Sequence, residues 1–348
     1  MLFQLVAQSG AHTVAVVGLA KNAGKTVALN SLVAQAAHAQ VTLGLTSLGY
    51  DGEPVDRLTR QAKPRIFAPA GTIIATAAGI LERASASLEL LRITAHSTVL
   101  GPVVLARVRE PGTVELAGPA ALADLQQVAE AMLAYGAAQV IIDGALNRVG
   151  AAAPRVSQAT ILATGASVAA SSVQVIARTL HAVGLLTAKP PSQAVVDAAR
   201  AAFAAERVGY WHCERGAWQS AQATALGQPA QLMAELGTAS HLCVPGAVTN
   251  SLIQALLQAV PANVAPPTLV VPAGTHVFAS PAVWQRYLAR GGRLAALEAA
   301  PVLAVTVNPT SPTGRLATAT NLGQALAKAL HPLPVYDLFH DEQNPIEP

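Results

Sequence analysis

The apolar run Thr13-Val14-Ala15-Val16-Val17 leads into Gly18-Leu19-Ala20-Lys21-Asn22-Ala23-Gly24-Lys25-Thr26, and a segment with Val27, Leu29 and Leu32 follows at once. A buried strand, a glycine-containing turn and a helix in direct succession commit the chain around them to an α/β layout. Backbone N–H groups at a helix start point outward and the helix dipole favours anions. The stretch therefore reads as a phosphate-binding P-loop built from Gly18, Lys21, Asn22, Ala23, Gly24, Lys25 and Thr26. In that reading Lys25 reaches the β/γ-phosphates of ATP and the Thr26 hydroxyl holds Mg²⁺. Five residues separate Gly18 from Gly24, one more than the usual spacing.

The helix is expected to run to about Gln40, and Val41–Ser47 to form a second buried strand ending in Leu48-Gly49-Tyr50-Asp51-Gly52-Glu53-Pro54. Ligands gather beyond the carboxyl ends of such strands. Asp51 is thus a candidate to hold Mg²⁺ or to orient an attacking water, with Glu53 behind it; an acidic turn around Asp51-Gly52 is the plainer alternative. Further on, Gln139-Val140-Ile141-Ile142-Asp143 is an apolar strand ending in a carboxylate. Behind a P-loop this is the Walker B arrangement, with Asp143 beside the Mg²⁺ site. Asn147 and Arg148 follow, and Arg148 is either an offset for developing phosphate charge or a surface residue.

Between these strands the pattern predicts a helix over Ala77–Leu91 and a hairpin of 103–108 with 113–117 around Pro111-Gly112. Leu122–Tyr135 reads as a helix and Thr160–Ala163 as a strand. Lys189-Pro190-Pro191-Ser192 is the best linker, and a second α/β rhythm without a second phosphate loop runs beyond it. The expected organisation is a P-loop NTPase domain with a mainly parallel sheet over 1–190, followed by a smaller C-terminal α/β domain over 191–348 that serves partner interaction. His212, His241 and His276 lack ligand spacing and read as core or surface histidines.

Composition limits the function classes. Charged residues make up 12% of the chain, against a typical share of about 25%, and the net charge of +3 carries no basic cluster that would suggest nucleic acid. Leu236–Gln285 has no charged residue, yet prolines at 245, 261, 266, 267, 272 and 281 interrupt it. No run approaches the ~20 residues of a membrane span. Cys213 and Cys243 form neither a disulfide framework nor a zinc pattern. The N-terminus is expected to read directly into the first strand without a signal sequence, which makes the cytoplasm the expected location.

The five-residue gap before Gly24-Lys25-Thr26 is similar to that of dethiobiotin synthetase, a member of the dimerising P-loop class that includes the ATPases placing the cell-division site. Lys21 resembles the extra signature lysine of that class, which reaches the partner's nucleotide, although it stands one residue closer to Lys25 than is usual there. A broader resemblance covers nearly the whole chain. Its blocks are Gly18–Thr26, Gly44–Glu53, Gly71–Ala77, Leu116–Pro119, Ile141–Ala145 and Val307–Pro312. Together they resemble the ATPase subunit of the lysine 5,6-aminomutase reactivase. That resemblance implies a reactivating chaperone of lysine degradation, forming a homodimer or hetero-oligomer with a MutS-like second subunit. It also implies a target, an adenosylcobalamin- and pyridoxal-phosphate-dependent aminomutase whose damaged cobalamin is exchanged at the expense of ATP. The alternative is a small-molecule ligase or kinase of the dethiobiotin synthetase type, whose anionic substrate would want Arg or Lys where Leu236–Gln285 offers none.

Overall fold

The computed structural model describes residues 1–50, 65–144, 152–212, 217–310, 322–340 and 344–347. The chain opens with helix α1 (Leu2–Gln8), which corrects the expectation that the N-terminus runs straight into a strand: Leu2, Phe3 and Val6 are buried in the core beside β1 (Thr13–Gly18). Next come α2 (Lys25–His38), β2 (Leu43–Ser47), β3 (Ile66–Ala68), β4 (Ile73–Ala77), β5 (Ser87–Thr98), β6 (Gly101–Glu110), β7 (Gly112–Val114), α3 (Leu122–Ala134), β8 (Gln139–Gly144), β9 (Ala159–Gly165) and α4 (Ser172–Leu186). Then follow α5 (Gln193–Ala204), β10 (Gly209–His212), β11 (Ala217–Ser220), α6 (Pro229–Leu236), β12 (His241–Cys243), α7 (Asn250–Ala259), β13 (Thr268–Ala273), α8 (Pro281–Ala289) and β14 (Leu294–Glu298). The last elements are β15 (Val302–Asn308), α9 (Leu322–Leu330) and β16 (Val335–Tyr336).

The chain divides into two units, Met1–Leu180 with Ala300–Pro348, and His181–Ala299. The expected boundary near 190, with one C-terminal domain running to 348, is corrected by this division. The reason lies in β15, which pairs with β9 from Val302↔Thr160 to Asn308↔Gly165 and so carries the chain's end back into the first sheet. The second unit is an insertion.

Among the described residues the first unit holds a nine-stranded sheet ordered β16-β15-β9-β1-β8-β2-β4-β6-β5. Pairing is parallel from β16 through β15, β9, β1, β8 and β2 to β4, and antiparallel from β4 to β6 and β5. The fold is α/β with a large, mainly parallel mixed sheet. Its central strands are covered on both faces, so they read as continuous apolar runs. Helix α2 packs Ala28, Leu29, Leu32, Val33 and Ala36 onto the sheet. Burying Leu29 and Leu32 contributes about 1.5–3 kcal/mol each, which anchors the loop that precedes the helix.

Two local expectations fail at the antiparallel edge. Ala77–Leu91 forms one 3₁₀ turn, Ala78–Arg83, and then becomes the start of β5. Leu88-Glu89-Leu90-Leu91 favours a helix by itself, but pairing along β6 (Leu88↔Val108, Leu90↔Ala106) overrides that preference. The hairpin is β5–β6, and Thr113 pairs with Phe67 of β3 instead. Gly112 permits this, because a Cβ there would lie 2.4 Å from the Ala86 nitrogen.

Among the described residues the second unit holds a five-stranded sheet ordered β11-β10-β12-β13-β14, with β12, β13 and β14 parallel. Val195, Ala199 and Ala202 of α5 pack with Cys243, Val270 and Ala295, while Leu232, Leu252, Leu256 and Tyr287 belong to a separate core with Leu242, Leu269 and Val271. Alternate strand residues thus feed two cores, one on each face. Among the described residues no helix is long and apolar enough to cross a membrane.

Candidate functional site

The carboxyl ends of β1, β8, β9, β2 and β15 converge by register: Val16 pairs with Asp143, Ser47 with Asp143, Gly18 with Ala163 and Asn308 with Gly165. The chain leaves β1 with one more ladder bond, Leu19 N–H to Ala163 O at 2.9 Å, and then turns sharply. Two residues of the turn take left-handed backbone angles, Asn22 at φ 60° and Gly24 at φ 93°. Gly24 is the N-cap of α2, and no side chain caps that helix. The first-turn N–H groups have no partners within the helix itself, and helix starts in general favour anions.

The two glycines of the loop are not equivalent. Gly24 needs its positive φ, and a Cβ there would come within 3.3 Å of Asn308 Cβ and 3.4 Å of Phe339 Cε2. At Gly18 a Cβ would meet only ordinary contacts, 3.5 Å from Ala20 O and 3.6 Å from Lys25 Cβ. Conformation therefore demands glycine at 24 and merely accepts it at 18.

Lys25 Nζ lies 2.9 Å from Asp143 Oδ1 and donates to Gly144 O at 2.9 Å. Both side chains are about one-fifth exposed, so the pair is open to solvent on one side and closed on the other. Thr26 stands one residue on, half-buried in the first turn of α2; Ala23 is buried, while Lys21 and Asn22 are exposed on the turn. Gly18, Lys21, Asn22, Ala23, Gly24, Lys25 and Thr26 thus form one continuous loop with Asp143 against its lysine. Asp51 and Glu53, expected beyond β2, and Asn147 and Arg148, expected beyond β8, lie outside the described residues.

Sequence reasoning assigned no role to the residues that brace the loop. Asn308 Nδ2 donates to Asn22 O at 2.8 Å, while its Oδ1 accepts from Thr310 N at 3.0 Å and Thr310 Oγ1 at 2.8 Å. Asn308 O accepts from Ala166 N at 2.9 Å. Gly165 makes that approach possible, because a Cβ on it would sit 2.2 Å from the Asn308 oxygen. Gly118 does the same beside β2, where a Cβ would fall 1.8 Å from Ser47 O. Its N–H donates to Ser47 Oγ at 3.0 Å, and Ser47 Oγ donates to Gly49 O at 2.7 Å. Asn308, Gly118 and Ser47 fall within the resemblance blocks Val307–Pro312, Leu116–Pro119 and Gly44–Glu53, but from the residues themselves the signal is a small or amide residue at the end of an apolar strand, which is common in chains of any function.

Among the described residues no group of three or more His, Cys, Asp or Glu gathers as a metal cage. His241 contacts Ser240 Oγ at 3.0 Å and His276 contacts Ala273 O at 3.1 Å, each a local structural contact. Burial pushes the Cys243 thiol up to about 12, so it stays protonated and unreactive. Set against protein-family models, curated proteins and solved structures, the chain matches none of them.

Proposed function

We propose that the Gly18–Thr26 loop binds magnesium ATP and that the chain hydrolyses it. The observation that carries this reading is a lysine at the first position of an uncapped helix, behind a left-handed glycine, with its ammonium against the carboxylate that ends the neighbouring parallel strand. The donor set fits the group. A magnesium ion carried on nucleotide phosphates takes only one or two protein oxygens, and Asp143 with the Thr26 hydroxyl supplies that number. When bound, the ion neutralises phosphate oxygens as charge shifts toward the leaving group.

The chain's own residues do the rest by position and charge. First-turn N–H groups of α2 donate to phosphate oxygens. Lys25 exchanges Asp143 for the β/γ-phosphates, one anionic partner for another, so its charge stays paired throughout. Asp143 and the Thr26 hydroxyl would hold the magnesium ion. Asp51 is the proposed group that orients the attacking water.

We assign this ATPase to a reactivating chaperone that acts with a MutS-like subunit on an adenosylcobalamin-dependent aminomutase. The support is the block resemblance, whose segments beyond the loop include Gly44–Glu53, Leu116–Pro119 and Val307–Pro312. ATP and ADP forms would then differ in partner affinity, as any nucleotide switch requires. The test is hydrolysis of ATP and GTP by the purified chain beside Lys25→Ala and Asp143→Ala, alone and with an inactivated aminomutase plus the MutS-like subunit. Turnover that rises with those partners and vanishes in both variants is the expected result. Partner-free phosphorylation of a small acid would instead establish a ligase or kinase, and failure to bind any nucleotide would end the reading.

A further inference from the structure

The turn after β16 presents one large aromatic ring to the Gly18–Thr26 loop. Asp337 builds this turn: its Oδ1 accepts the Phe339 N–H at 3.0 Å, its Oδ2 lies 2.7 Å from His340 Nδ1, and its carbonyl accepts the His340 N–H at 3.2 Å. Leu338 is buried in the core of the first unit, which fixes the turn from below. Phe339 is left 44% exposed, yet its Cε2 and Cζ lie 3.4 and 3.7 Å from where a Cβ on Gly24 would sit. A half-open phenyl ring held rigidly against the N-cap of α2 gains little from burial there, since solvent still covers nearly half of it.

Asn308, the other side chain at that glycine, is engaged through both its Nδ2 and its Oδ1. Its amide holds Asn22 and Thr310, so it braces the loop and leaves the flat ring as the unengaged surface beside it. Resting on the nucleotide reading above, we propose that Phe339 is the stacking face for the base of the bound nucleotide. The loop takes the phosphates, and the ring, brought there by the C-terminal return of the chain, takes the heterocycle. Stacking on an aromatic face tolerates any base because every base has a π-face. The ligand class is therefore a nucleoside triphosphate whose base is held by its plane.

The test compares two ligands on the full-length chain by titration calorimetry in magnesium buffer: ATP, and tripolyphosphate, which keeps the charge and lacks the base. Phe339→Ala should weaken ATP by about 10- to 100-fold, within the range of single base-stacking losses, and leave tripolyphosphate within about 2-fold. Phe339→Trp should keep ATP affinity. ATP affinity unchanged in Phe339→Ala overturns the proposal, and so does an equal loss for both ligands, which would mark the ring as a support for the loop. Wild-type chain that binds neither ligand would overturn the nucleotide reading itself, an outcome separate from the other two.

Discussion

Both units are α/β and helices in both start without a side-chain cap, yet what precedes those starts differs. In the first, Gly24 takes φ 93° to leave the start of α2 uncapped, with Lys25 one residue on. In the second, α6 and α8 begin with proline in the first turn, so each lacks a donor there. The start of α7 is tied into its own unit, because Asn250 Oδ1 accepts the Ser280 N–H at 2.8 Å. Gly274 serves close packing alone, with a Cβ there falling 1.8 Å from Leu185 O. The second unit does carry a hollow of about 410 Å³ between Ala221–Leu226 and Val244–Ala247. Glu206 and Arg207 line it as well, while Glu235 accepts from Tyr210 and from the backbone N–H groups of Gln222 and Ala223. The same architecture thus carries a lysine–carboxylate pair behind a left-handed glycine in one unit and proline-started helices in the other, and the difference lies in a few loop residues rather than in the sheet.

The units can be told apart in solution because Trp211, Trp218 and Trp284 all belong to the second one. Lys25→Ala should break the comparison most severely: ATP turnover falls by about 100- to 1,000-fold, as for loss of a single transition-state donor, while tryptophan-detected unfolding stays unchanged. Tyr287→Phe is the converse. The buried Tyr287 hydroxyl donates to Pro267 O at 2.6 Å and accepts from Leu269 N at 3.2 Å, so its loss should lower the tryptophan-detected stability by about 1–3 kcal/mol. Nucleotide affinity should not move with it.

Gly24→Ala comes next. An alanine held in the left-handed region costs about 1–2 kcal/mol, so nucleotide affinity should drop by roughly 10-fold in calorimetry. Gly18→Ala, with room for its Cβ, should stay close to wild type. The smallest effect concerns pH. The Tyr210 hydroxyl, followed by the Gln222 N–H, holds the Glu235 carboxyl below its ordinary value of 4.5. Its contribution is complete above that value and is lost as pH falls through the depressed one. Acid titration followed by tryptophan fluorescence should show a later, shallower loss in Glu235→Gln than in wild type; identical acid profiles would mean that the carboxylate does not hold that corner.

The β1–loop–α2 segment was legible in sequence because its determinants are local. An apolar strand, a glycine at a left-handed position and a helix with Leu29 and Leu32 on one side specify their own geometry within a few residues. Asp143 was legible for the same reason, since the end of an apolar strand places its last carboxylate. Where neighbours decided, sequence reading failed. Leu88–Leu91 carries helical spacing but lies along β6, and Gly112 admits Ala86 to a contact that no spacing records.

Sequence alone therefore determined an α/β chain with a glycine-turned loop between strand and helix near its start and a carboxylate strand to meet the lysine. Tertiary structure alone decided that residues 181–299 are an insertion and that the chain's end returns to the loop. Asn308 reaches Asn22 across 286 residues, and Phe339 meets Gly24 from still farther along the chain. Contacts of such separation depend on the pairing of β15 with β9, a choice made by the whole sheet, and no short window of sequence contains it.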